Sequence, residues 1–237
     1  MRRVLLFVAM HSEAEPIARA LSLRGSPSLR HGTVGDAEIQ LLTPTLDAVT
    51  GVDSIGPVHA AAALASMLGF LTHASGVGRP DLVVNLGTAG GFQAQGLGIA
   101  DLVLARDTMF HDARVPLPGY EAVARAHTRL SLDEAQLASL ATRLNARVGL
   151  ASTGSSLDAT TDELAQFAAH QTLAKDMELA ALAVVCRAHD LPLIALKGIT
   201  DLVDHHEPTH EAFLRNLKHT SDRLAAVAAP FLEFVTH

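Results

Sequence analysis

The chain has a single cysteine, Cys186, among 237 residues. An intramolecular disulfide is therefore impossible, and so is a metal cluster built on thiolates. No apolar run is long enough to span a bilayer. VLLFVAM (4–10), behind Arg2 and Arg3, opens like a secretion signal, but His11, Ser12 and Glu13 interrupt it and no small-residue cleavage site follows. These absences point to a cytoplasmic protein without a membrane partner. Lysine is scarce, at Lys175, Lys197 and Lys218 alone, and no basic cluster relieves a formal charge of −7. Binding of nucleic acid through phosphate neutralisation does not fit that balance.

Several catalytic signatures are also missing. GTAGG (87–91) is neither G-x-G-x-x-G nor a P-loop. No G-x-S-x-G elbow is present, and GSSLD (154–158) does not replace it. His205, His206 and His210 are framed by no carboxylate–histidine zinc motif and read as a surface loop. Cys186 falls in the apolar pattern of its helix and reads as core.

What the chain does have is apolar content, 49% against 18% charged, enough for an extensive core. Apolar runs and helical periodicities alternate along it. Strands are expected at VLLFVA (4–9), AEIQLLTPT (37–45), DLVVNLG (81–87), ADLVLARD (100–107), RVGLAST (147–153) and 193–200, with a glycine-rich bend after 87. Helices are expected at 13–21, 58–74, 131–145, 163–169, 177–190 and 209–236. The near-continuous apolar strands predict a sheet covered on both faces. The segment 112–130 reads as a loop that closes over a site or reaches a partner subunit. With no repeat, low-complexity tract or linker, residues 1–237 are expected to form one domain.

The stretch LPLIALKGITDLVD (191–204) poses the functional question: a buried strand meets Lys197, Thr200, Asp201 and Asp204 within a few residues. Polar groups beyond strand ends are where α/β sheets bind ligands. The same pattern delivers Glu13 and Glu15 after the first strand, Thr88 after the strand at 82–86, and Thr153, Ser155, Ser156 and Asp158 after RVGLAST. Asp176 and Glu178 open a helix. Each has an ordinary explanation. Glu13, Glu15 and Glu178 suit first helical turns, GTAGG suits a tight turn, Asp201 suits a local cap, and Thr160, Thr161 and Glu163 suit helix capping.

Taken together, VAMHSEAEP (8–16), GVDSIG (51–56), VVNLGTAGGF (83–92), FHDARVPLP (110–118), STGSSLD (152–158), KDMELAALA (175–183), LKGITDLVD (196–204) and EPTHEAFLRNL (207–217) resemble one family over nearly the whole chain. It is that of the 5′-methylthioadenosine/S-adenosylhomocysteine nucleosidases of the purine-nucleoside phosphorylase superfamily, in particular their plant-type branch. The resemblance implies an α/β fold, three-layer α/β/α with a central mixed, twisted sheet, a homodimer, and hydrolysis of a nucleoside without metal or organic cofactor. It matches Glu13 to the acid that holds the attacking water and Asp201 to the acid that protonates the purine, with Thr200 beside it. Met177 and Glu178 match the ribose-binding pair. Leu157 falls where a side chain packs on the base and the backbone reads the adenine edge, and Thr88 and Ala89 where a strand-end loop approaches the sugar. Lys197 stands where many bacterial relatives carry arginine near the ribose.

The chemistry agrees. Breaking a ribosyl–adenine bond makes a poor anionic leaving group and a cation-like sugar, so a proton donor on one side and a carboxylate on the other divide the work. Ser155 in place of an acid, Leu179 in place of a small residue and His210 near a lid position that is often aromatic depart from the family pattern and bear on substrate preference. A phosphorylase or a futalosine-type hydrolase of the same fold, and a catalytically silent nucleoside-binding protein, are the alternatives.

Overall fold

The computed structural model describes residues 1–73 and 78–237. The chain opens with β1 (Arg2–Phe7), where Val4 and Leu6 enter one apolar cluster while Leu5 and Phe7 enter another. Alternate side chains of a strand face opposite sides, so β1 is buried on both faces. After α1 (His11–Ala20) come β2 (Arg24–Ser26), β3 (Leu29–Val34) and β4 (Ala37–Leu42), then α2 (Pro57–His73) and β5 (Leu82–Gly91). A 3-10 turn at Gln93–Gln95 leads to β6 (Leu102–Phe110), α3 (Tyr120–Arg125), β7 (Thr128–Arg129), α4 (Glu134–Leu144) and β8 (Ala146–Thr153). The chain ends with α5 (Thr161–Ala169), β9 (Ala174–Asp176), α6 (Leu179–Ala188), β10 (Leu193–Leu202) and α7 (Thr209–Thr236). Among the described residues the strands form one mixed sheet with helices on both faces. Residues of α1, α4 and α7 share one core cluster, and residues of α2 and α6 share the other. This is the expected three-layer architecture.

The sheet is more than a twisted plane. β5 pairs in parallel with β1 and with β10, and β10 pairs antiparallel with β6 over Leu196–Gly198. β6 pairs with β8, β8 with β9, and β9 returns antiparallel to β5 at Gly90 and Gly91. These pairings close a ring at one end of the sheet, and the antiparallel return sends the chain beyond Asp176 back along the end of β5.

Several elements differ from the sequence pattern. GTAGG is not a turn: β5 runs straight through it to Gly91. A Cβ on Gly90 would lie 2.5 Å from Val203 Cγ2 and 2.8 Å from Asp201 Oδ2, so close side-chain approach demands the glycine. β2 and β3 carry few buried residues and give no apolar signal. β9 is a short buried strand just ahead of the helix expected at 177–190, and α6 begins only at Leu179. The segment 112–130 contains α3 and β7. Ala74, the last residue of the expected helix at 58–74, lies outside the described residues. Cys186 is buried in the core, as expected.

Candidate active site

Glu13 sits in the first turn of α1, and its Oε2 accepts a 3.3 Å hydrogen bond from the Met10 amide at the helix start. That is the capping role its position suggests. Its other oxygen leaves the helix. Oε1 accepts from the amide of Thr88 at 2.6 Å and from the Thr88 hydroxyl at 2.7 Å. The carboxyl is buried, which raises its proton affinity, while the Thr88 bonds and the nearby Lys197 ammonium pull the other way. Two donors occupy Oε1, and only the long Met10 bond occupies Oε2.

Asp201 owes its place to a bulge. The β10–β5 register pairs Ile199 with Ala89 and Asp201 with Gly90, leaving Thr200 unpaired. Neighbouring residues of a regular strand face opposite sides, yet Thr200 and Asp201 both line one cavity. The Thr200 hydroxyl is 2.8 Å from Asp201 Oδ1 and 3.2 Å from the carbonyl oxygen of Ala89. Burial raises the proton affinity of Asp201, opposed by the Thr200 hydroxyl and the Lys175 charge. Asp204, the other acid of this stretch, is structural. Its two oxygens accept from the amides of Gln93 at 2.7 Å and Ala94 at 2.9 Å. It ties the end of β10 to the turn after β5.

The corner between β9 and α6 holds a buried ionic cluster. Asp176 accepts from the Thr153 hydroxyl at 2.5 Å and the Leu179 amide at 3.0 Å, and pairs with Lys197 Nζ at 2.5 Å. Glu178, at the cap position of α6, turns inward and accepts from the Gly56 amide at 2.9 Å. Burial and the neighbouring Asp176 carboxylate push its pKa up to about 7 against the pull of Lys197. Gly56 has φ +96°, a conformation open to glycine, which lets the loop 51–56 present this amide. The loop's other anchor is Asp53, whose Oδ1 lies 2.5 Å from His11 Nδ1.

The turn after β8 reaches the cavity through Leu157. Asp112 accepts from the Ser155 amide at 2.8 Å, and Lys175 donates to the carbonyl of Ser156 and, at 3.1 Å, to that of Leu157. Leu157 is half-exposed at the rim.

Every residue to which the sequence resemblance gives a catalytic or binding role lines this one cavity: Glu13, Thr88, Ala89, Leu157, Met177, Glu178, Lys197, Thr200 and Asp201; Ser155, Leu179 and His210, the departures from the family pattern, do not. Others noted at strand ends do not. Glu15 pairs with Arg30 at 2.6 Å on the surface, and Thr153 lies behind the wall, donating to the cavity-lining Asp176. Ser155 and Ser156 contribute backbone groups, not lining side chains, and Asp158 lines a neighbouring cavity. Thr160 and Glu163 form a capping box at α5, as their spacing predicts. Sequence reasoning passed over Ile55 and Phe213, which line the cavity, and gave no role to Lys175 within it, whereas Asp176, grouped with Glu178 and the strand-end acids from the sequence, lines it as well. The only available signal was the scarcity of lysine in an acidic chain. Among the described residues, no group of three His, Cys, Asp or Glu side chains is arranged to hold a metal ion, and no helix is long and apolar enough to cross a membrane.

Comparison with known proteins gives a consistent picture. The family model of the phosphorylase superfamily matches residues 3–233. A 5′-methylthioadenosine nucleosidase of Arabidopsis thaliana is 34% identical over 243 residues, covering 98% of this chain and 86% of the relative. A 5′-methylthioadenosine/S-adenosylhomocysteine nucleosidase of the same plant is 32% identical over 246 residues, covering 98% and 91%. The solved apo structure of the Arabidopsis thaliana 5′-methylthioadenosine nucleosidase aligns with a TM-score of 0.89 at 32% identity, covering 99% of this chain and 96% of that one.

Proposed function

The chain belongs to the phosphorylase superfamily and, within it, to the 5′-methylthioadenosine/S-adenosylhomocysteine nucleosidases, and on that premise we propose that it hydrolyses the N-glycosidic bond of 5′-methylthioadenosine to adenine and 5-methylthioribose. S-adenosylhomocysteine is the second substrate in this reading. The observation that carries it is the contrast between two buried carboxyl groups in one cavity. Glu13 is surrounded by donors and is held as an acceptor, whereas Asp201 has a single hydroxyl partner, which donates to the carboxylate and can turn to accept from the protonated acid.

The reaction proceeds in our reading as follows. Asp201 gives its proton to the purine at N7 as the C1′–N9 bond breaks, and the bonding electrons leave with the base, so adenine departs neutral. Water held at Glu13 Oε2, the less occupied oxygen, attacks C1′ of the cation-like sugar, and its proton passes to Glu13. Glu178 accepts from the ribose hydroxyls and Met177 packs on the sugar, fixing C1′ between the two acids. Thr88 and Ala89 line the sugar side, Leu157 covers the base, and Lys197 balances the acids around the ribose. No metal or organic cofactor takes part.

A phosphorylase would need free cationic donors for phosphate. Here Lys197 is paired with Asp176 and Lys175 with two carbonyls, while the Glu13 carboxylate repels an incoming anion. The test is a chromatographic time course of 5′-methylthioadenosine with purified protein, without and then with phosphate. Adenine and free methylthioribose in phosphate-free buffer support hydrolysis. A strict phosphate requirement identifies a phosphorylase, and binding without release identifies a silent module.

The reading extends to assembly and location. Val49, Val58, Phe70, Leu117 and Val123 are large apolar residues left exposed on the α2 face, the loop before it and the segment 112–130. They support a homodimer, to be checked by sedimentation. We place the enzyme in the cytoplasm, serving methionine salvage, and treat residues 1–237 as one domain.

A further inference from the structure

Lys175 lies on β9 directly across Gly90, and Asp201 lies across the same Gly90 on β10. The residue between the two strands has no side chain, and the Asp201 carboxyl reaches over it, with Oδ2 only 2.8 Å from where a Cβ would be. The ammonium of Lys175 is buried and donates to the carbonyls of Ser156 and Leu157. The described residues include no cis peptide, and in a trans peptide the N–H points opposite to its C=O. Holding these carbonyls therefore turns the amides of Leu157 and Asp158 away from the lysine. A long, strongly hydrated cation is an unusual choice for an apolar wall, and it is placed where it holds the base-covering turn and shares Gly90 as a strand neighbour with the proton donor.

We propose that Lys175 is a positioning residue of the glycosidic cleavage, its ammonium holding the Ser156–Leu157 turn over the cavity and facing the Asp201 carboxyl across Gly90. This inference rests on the nucleosidase reading above. The surroundings favour a charged lysine despite its burial: Asp201 on β10, Glu163 on α5, Asp176 on β9 and Asp158 in the turn all oppose the desolvation that pulls its pKa down. His111, just beyond the end of β6, is held below its ordinary value by burial and by Lys175 itself, so it adds no competing cation. Asp201 in turn is raised by burial and restrained by Lys175 and the Thr200 hydroxyl. An acid whose affinity climbs too far gives up its proton poorly, so the lysine keeps Asp201 a usable donor.

The experiment is the pH profile of kcat/KM for wild type, Lys175→Met, Lys175→Gln and Lys175→Arg, with 5′-methylthioadenosine and its hypoxanthine counterpart as substrates. The neutral variants move the alkaline limb upward by about half a pH unit or more, because Asp201 keeps its proton longer. They also lower the preference for adenine over hypoxanthine by about tenfold, because the turn loses its anchor. Lys175→Arg leaves the limb where it was. An unmoved limb in either neutral variant, folded by circular dichroism, overturns the proposal, since a merely structural clamp changes KM alone. If neither neutral variant folds, Lys175→Arg decides: a lowered preference for adenine over hypoxanthine with an unmoved limb supports the proposal, and an unchanged preference overturns it. Wild-type protein that releases no adenine overturns the nucleosidase reading, and this inference with it. A displaced limb in an active enzyme separates the two.

Discussion

The Thr200 hydroxyl stands 2.8 Å from Asp201 Oδ1 and within reach of the Ala89 carbonyl, and it has one hydrogen to give. A carbonyl only accepts. Turned toward Ala89, the hydroxyl accepts from the protonated acid; turned toward Asp201, it donates to the carboxylate left after proton transfer. One rotor thus serves both states of a general acid, and the bulge at Thr200 brings rotor and acid to the same side.

Asp201→Asn is therefore expected to lower kcat by roughly 10²–10⁴-fold with little change in nucleoside affinity. Thr200→Val removes only the rotor and lowers kcat by about 10–100-fold, and Thr200→Ser restores it. Steady-state rates by adenine release check all three. A Thr200→Val enzyme at full kcat excludes the hydroxyl from the proton path.

Glu13→Gln keeps an acceptor oxygen for Thr88, so the strand end stays in place while the negative charge is lost. Turnover is expected to fall by roughly 10²–10⁴-fold with the nucleoside still bound, as calorimetry would measure. Loss of binding together with turnover would assign Glu13 to substrate affinity instead.

The ion pair of Lys197 and Asp176 is buried on both sides, so removing one partner strands the other. Lys197→Met and Asp176→Asn are each expected to destabilise the fold by about 3–5 kcal/mol, and the double replacement by clearly less than their sum. Urea unfolding of the three variants checks this. Additive losses would mean that the two side chains act independently.

The positions of Glu13, Glu178 and Asp201 were legible because each follows an apolar strand or opens a helix at a place where polar residues gather. The α7 boundaries were legible too, from its long amphipathic pattern. The bulge was not, since the run from Ile199 to Asp201 looks like regular strand until β5 is laid beside it. Lys175 escaped for a related reason. β9 spans only Ala174–Asp176, too short for any periodicity, and its pairing with Gly90 joins residues far apart in the chain. The two exposed strands β2 and β3 gave no apolar run to read. Asp204 stands three residues beyond Asp201 with nothing in the sequence to tell the two acids apart, and the partner amides of Gln93 and Ala94 reveal a cap.

Glu178 links pH to both binding and stability. Its pKa of about 7 lies above the ordinary 4.5. Between those values the folded protein binds more protons than the unfolded chain, so this group's contribution to stability falls as pH rises through that window and stays reduced above it. Glu178→Gln removes the titration and is expected to stabilise the ligand-free protein at pH 8 by about 1–3 kcal/mol relative to wild type, with the difference shrinking toward pH 5. Binding runs the other way. Below about pH 7 the carboxyl is increasingly protonated and offers the ribose hydroxyls a weaker acceptor, so KM for the nucleoside rises as pH falls. Thermal melts across pH and the pH dependence of KM test the two halves separately. A wild-type KM that is flat from pH 8 to pH 5 would remove Glu178 from ribose recognition, whatever the melts show.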